Sequence, residues 1–169
     1  MKNEKSLHKV SSIKKLVAKE CAVLGFVPDW FFKTHILGVE KFAKKLLKKF
    51  PQADKKSVML GVYLHDLQRI RGLKGDHEKL GALEAMKVMD KFSYSQAEIN
   101  RVKEIIETHA YRKLTPKTLE GKILATADAM SHYINDFYLT IATTGERNLG
   151  EFKKWALEKI NRDYNKKIF

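Results

Sequence analysis

A histidine followed directly by an aspartate, His65-Asp66, stands at the end of the apolar run from Val58 to Leu64. Neighbours on a helix diverge by about 100° around the axis, so the pair can grip one object lying beside it. An imidazole and a carboxylate together suit a metal ion. One such dipeptide is weak evidence, and weight comes from further residues of ligand type on apolar-faced segments. His35 lies upstream, and His77, His109 and Asp128 lie downstream. Asp128 is flanked by Ile123, Leu124, Ala125, Ala127, Ala129 and Met130. An ionised carboxylate in that setting is costly to desolvate unless a cation accompanies it; lysine, arginine or a metal ion would each serve.

The elements that must position these groups read as helices throughout. Leu7, Val10, Ile13, Val17, Cys21 and Leu24 repeat every three to four residues, predicting an amphipathic helix over 6–24 with Gly25 after its cap. Cys21 falls on the core stripe, and His8 beside it reads as a surface residue. Pro28-Asp29 opens a second helix that runs to about Phe50 and stops at Pro51. His35 sits at the edge of its buried face; taken alone, it reads sooner as a satisfied structural histidine than as a ligand. Asp54 caps a third helix, about 55–69, that ends in the His65-Asp66 pair. A loop with Gly72 and Gly75 follows, and Asp76 caps a fourth helix from His77, whose small residues Gly81, Ala82 and Ala85 allow close approach to a neighbour. Ser95 and Glu98 have capping-box spacing and start a fifth helix ending at Thr108-His109. Thr115-Pro116 starts a sixth over about 117–141, with Asp128 at its middle. Thr143-Thr144-Gly145 breaks it, and a last helix runs from Leu149 to about Lys166 with Phe152, Trp155, Ala156 and Ile160 on one stripe. No stretch alternates with a period of two. The expected fold is all-α, a single bundle of six to seven helices.

The six ligand-type residues thus come from five helices, each at a helix end or on a core-facing stripe, as in the di-metal centres of helical bundles. Composition sets the surroundings. The 169 residues carry a formal charge of +13. Residues 1–56 contribute +9, residues 57–150 only +1 and residues 151–169 +3, so the excess lies away from most candidate ligands. Attraction to a polyanion such as nucleic acid is one reading of the basic ends; lysines on the outer faces of helices are the plainer one. The single cysteine, Cys21, excludes an internal disulfide and fits a reducing compartment. No apolar run approaches the roughly 20 residues that span a bilayer, and the Lys-rich N-terminus lacks a signal-peptide core. The expectation is a cytoplasmic protein with no membrane partner. No feature sets an oligomeric state.

The order His…His-Asp…His…His…Asp, with the local blocks HILGVEKFAKKLL, LHDLQR, DHEKLGALEAMKVM, IIETHAYR and ILATADAMSHY, resembles the HD-domain superfamily of metal-dependent phosphohydrolases. The likeness covers roughly residues 30–140 and implies one HD-type domain over 1–169, with the terminal helices packed on it. It further implies one divalent metal held by His35, His65, Asp66 and Asp128, and a second held by His77 and His109 and bridged by Asp66. A variant has one metal, with His77 and His109 touching substrate. Imidazole and carboxylate suit Fe, Mn, Co, Ni or Zn alike. Two divalent ions against two carboxylates leave a positive centre that attracts phosphate. His65 and Asp66 are then the catalytic pair, and a metal-bound hydroxide attacks a phosphoester or phosphoanhydride. The implied partner is a small, nucleotide-like phosphorylated substrate, with Arg69, Lys74, Arg112 and Lys113 as candidate phosphate contacts from the two loops. Glu78 could orient a ligand or simply begin a helix. His132 shares the face of Asp128 and reads either as a support for it or as core polarity. The glycine-tyrosine-proline signature of cyclic-dinucleotide phosphodiesterases is absent. The rival expectation is a non-catalytic HD-like module that binds nucleic acid or nucleotide through its basic surface.

Overall fold

A computed structural model describes residues 2–134, 136–143 and 145–165. Nine α-helices and no strand occur among these described residues: α1 (Lys2–Val23), α2 (Leu37–Lys49), α3 (Lys55–Leu64), α4 (Leu67–Ile70), α5 (His77–Lys91), α6 (Gln96–Thr108), α7 (Leu119–Ile134), α8 (Phe137–Thr143) and α9 (Leu149–Asn165). None is long and apolar enough to cross a membrane. Seven expected helices become nine because the third and the sixth are each cut in two.

Local chemistry accounts for most helix starts. The Asp54 carboxylate accepts from the Lys56 and Ser57 amides and opens α3. Asp76 accepts from Lys79 N and places His77 as the first residue of α5. Ser95 and Glu98 form the reciprocal capping box of α6. α7 begins at Leu119 rather than 117, since the Thr118 hydroxyl, not Thr115, accepts the first free amide, from Gly121 at 3.3 Å. Around α3, side chains including Leu60, Leu64, Ile105, Ile106, Ile123 and Leu124 are fully buried, each contributing about 1.5–3 kcal/mol of apolar transfer. α2 packs along α7, α5 along α6, and α3 lies between α1, α2, α6 and α7.

Three departures from regular helix bear on the site. The expected helix from Asp29 forms from Trp30 onward, but with one π-helical turn inserted over Phe32–Ile36 before α2. The wider turn rotates His35 from the edge of the apolar stripe into the interior, where it is 4% exposed. The expected helix 55–69 stops at Leu64: Asp66 leaves helical geometry (φ −104°, ψ 15°), and the Arg69 amide bonds to Asp66 O. The His65 carbonyl is thereby released toward Gly81 of α5, where a Cβ would lie 2.8 Å from it. The sixth helix breaks between α7 and α8, and α8 turns Phe137 inward against His132, ring centroids 4.2 Å apart. Thr144, part of the expected break before the last helix, lies outside the described residues, as does the expected last turn at Lys166.

Candidate metal centre

Five of the six residues line the floor of one cleft of about 470 Å³, and His65, fully buried, lies directly behind them. His35 comes from the π-turn, His65 and Asp66 from the α3–α4 turn, His77 from the start of α5, His109 from the cap of α6 and Asp128 from the middle of α7. All six are buried. His35 Nε2 lies 3.3 Å from His65 Nε2, 3.0 Å from Asp66 Oδ2 and 3.7 Å from Asp128 Oδ1. His65 Nε2 is 3.5 Å from Asp66 Oδ2 and 3.9 Å from Asp128 Oδ1. On the other side of Asp66, Oδ1 lies 3.1 Å from His77 Nε2, and His109 completes that group.

Hydrogen bonding decides what these nitrogens are. His65 Nδ1 donates to Val62 O at 2.9 Å, and His109 Nδ1 donates to Ile106 O at 2.6 Å. His77 Nδ1 donates to Gln68 Oε1 at 2.9 Å, and the Gln68 amide is itself fixed by donating to Leu73 O. A carbonyl oxygen only accepts, so the proton sits on Nδ1 and Nε2 presents a bare lone pair. Three such lone pairs converge on two carboxylates, an arrangement that suits cations between them. Protons are poor candidates. Burial disfavours imidazolium and lowers the pKa of His65, and with the nearby His65 it holds His109 well below its ordinary value. Burial would raise the Asp66 pKa, but its polar surroundings, the Arg69 guanidinium among them, hold it well below the carboxylate range and keep it anionic.

Neutral imidazoles and an ionised carboxylate are the forms that bind metal. Bonds of about 2.0–2.2 Å to one ion set tetrahedral ligand atoms about 3.4 Å apart, which matches the 3.0–3.9 Å spacings on the His35 side. His35, His65 and Asp66 make one compatible group, and Asp66, His77 and His109 make another, sharing Asp66. The donor set fits divalent metal.

Other candidates fall out unevenly. Arg69 and Arg112 line the cleft, with Arg69 Nε 3.3 Å from Asp66 Oδ1. Lys74 and Lys113, expected beside them, do not: Lys74 is exposed on the loop, and Lys113 pairs with Asp76 at 2.5 Å. Glu78 is largely buried behind His77, its Oε1 3.7 Å from Arg112 Nε. His132 is drawn in more closely than its position alone implied. Its ring stacks on His35 (5.2 Å, 3°), its Nε2 is 3.6 Å from Asp128 Oδ1, and it makes a further possible ligand group with those two residues. Behind it, His132 Nδ1 meets Asp163 Oδ2 at 2.8 Å, and Lys159 Nζ pairs with the same carboxylate at 2.7 Å. Asp163 and Lys159 escaped the sequence reading because charges in a basic tail look solvated. The available signal was Asp163 three residues beyond Ile160, on the stripe of Ala156 and Ile160.

A family model described as HD domain matches residues 32–132, more than half of the chain. Neither the curated proteins nor the solved structures gave a significant match.

Proposed function

Because the chain belongs to the HD domain family, whose members are in general metal-dependent hydrolases of phosphorylated compounds, we propose that it hydrolyses a phosphoester or phosphoanhydride bond of a small, nucleotide-like substrate. The observation that carries this reading is the convergence of three Nε2 lone pairs on two buried carboxylates, at the floor of a cleft whose rim bears arginines. Bound divalent ions supply Lewis acidity toward a phosphoryl group and lower the pKa of water. His35, His65, Asp66 and Asp128 would hold one ion, and Asp66, His77 and His109 the other. Val62 O, Ile106 O and Gln68 hold three of those imidazoles in the ligating tautomer. Arg69 and Arg112 orient a phosphate over the floor with guanidinium donors.

Metal analysis of the purified protein, coupled to a hydrolysis screen of nucleotides and phosphomonoesters with Mn, Fe, Co, Ni and Zn, tests the proposal. Two metal equivalents and turnover are expected in the parent. Asp66→Asn should lose both, whereas His77→Ala and His109→Ala should each retain one equivalent. A parent that holds no metal and turns over nothing, yet binds nucleic acid with a steep salt dependence even as Asp66→Asn, would establish the binding-module reading instead.

A further inference from the structure

Seven of the residues facing the cleft follow residue 132, where the family match ends. They belong to α8, α9 and the loop between them, beyond the matched residues. The apolar stripe of α9 is only half-buried there, with Trp155 against Tyr138 of α8. Its one fully buried side chain is Asp163, while Leu157 and Tyr164 are each 62% exposed. The anchor is polar: Asp163 accepts from Lys159 at 2.7 and 2.8 Å and meets His132 Nδ1, and Tyr133 OH donates to Ile160 O at 2.8 Å. That anchor fixes which face of α9 looks into the cleft. Trp155, Lys159 and Arg162, spaced i, i+4 and i+7, form one stripe on the wall.

The charges on this wall are not all spent. Asp163 offsets Lys159. Arg162 makes no ion pair or hydrogen bond among the described residues. Arg147 lies with its guanidinium 5.0 Å above the Trp155 ring, and its carboxylate neighbour is Glu146 at 3.6 Å, itself 71% exposed and therefore weakly held. Two guanidinium forks with little to bind, beside an indole face, thus share a cleft with the candidate metal floor. Forked donors match phosphate oxygens, and an indole under a planar guanidinium holds its fork in place.

We infer that Arg147 and Arg162 form a second anion subsite, which holds a phosphate joined to the one at the floor, with Trp155 positioning Arg147 by stacking against its guanidinium. The subsite would exist without the hydrolase reading, but its use in turnover rests on that reading. The preferred substrate class is then a nucleoside di- or triphosphate rather than a phosphomonoester. In the reaction, the oxygen of water bonds to the terminal phosphorus over the floor. The bridging P–O bond breaks, its electron pair leaves on the shortened nucleotide held by Arg147 and Arg162, and one water proton passes to solvent.

Calorimetric titration of the metal-loaded protein with the β,γ-methylene analogue of ATP, with tripolyphosphate and with orthophosphate separates the outcomes. Arg147→Ala and Arg162→Ala should each weaken the analogue and tripolyphosphate about 10-fold or more, the range for hydrogen bonds to charged groups. Orthophosphate should change less than about two-fold in both, and Arg162→Lys should fall between parent and alanine. Trp155→Ala should weaken the analogue and tripolyphosphate alike, because it removes the ring on which Arg147 stacks. Unaltered analogue binding in both arginine variants, an equal loss for orthophosphate, or a parent that binds neither polyphosphate would overturn the subsite. A parent that binds as expected but turns over nothing would sink the hydrolase reading alone.

Discussion

At the level of single residues the centre is a problem in proton placement. Burial disfavours the charged form of His65, His109 and His132, which gives the metal-free protein a definite acid response. His132 is the clearest case: burial pushes its pKa from 6.5 down to about 4, against the opposing pull of Asp128 and Asp163. Between these two values the unfolded chain binds a proton that the folded chain refuses, so stability falls as pH falls through that window. By pH 5 the loss from His132 alone is about 2 kcal/mol. His65 and His109 shift in the same direction and add to it. Asp66 shifts below the carboxylate range, so the stability it contributes is lost only at more acid pH. Urea unfolding of chelator-treated protein at pH 7.5 and pH 5.0 should show the drop, and His132→Gln should reduce it. A midpoint that does not move between these pH values would mean that the imidazoles are not buried as described.

Helix by helix, what the sequence announces is what local chemistry decides. Capping signals at Asp54, Asp76 and Ser95–Glu98 mark their helix starts because the cap and its amides are near neighbours in the chain. The helix end at His65-Asp66 was legible, since the apolar run stops there, but the short helix that restarts at Leu67 and the π-turn at His35 were not, because both depend on what packs against them from elsewhere. One clue to the break was present: Gly81, in a run of small residues, foretold a close approach, and the neighbour is the His65 carbonyl itself. The contact can be tested. A Cβ on Gly81 would sit 2.8 Å from that backbone oxygen, whereas at Gly61 it would meet the movable methyl groups of Ile105 and Leu124 at 2.9 and 3.2 Å. Gly81→Ala should therefore cost about 1–3 kcal/mol in thermal unfolding and also weaken metal binding, since it displaces the turn that carries two ligands. Gly61→Ala should cost less and leave metal affinity near that of the parent. Equal metal affinity in Gly81→Ala and the parent would show that α5 does not hold the turn in place.

For the molecule as a whole, the ligand order was readable from the sequence but its mechanical consequence was not. The candidate ligands span residues 35 to 128 and come from five separate segments, so bound ions would cross-link most of the bundle. Such ions bind the folded chain far better than the unfolded one and stabilise it by mass action, about 2.7 kcal/mol at a hundred times the dissociation constant. For a chain of 169 residues this corresponds to a rise of roughly 5–10 °C in Tm. The formal charge of +13 complicates the measurement, because salt alone relieves self-repulsion and also raises Tm. Thermal melts of chelator-treated protein should therefore compare added Mn with potassium chloride of the same ionic strength. The expected result is a shift with Mn well beyond that with potassium chloride, largely abolished in Asp66→Asn and in Asp128→Asn. Equal shifts in the two salts would mean that the convergent lone pairs do not bind metal, and that screening of the basic ends accounts for the whole effect.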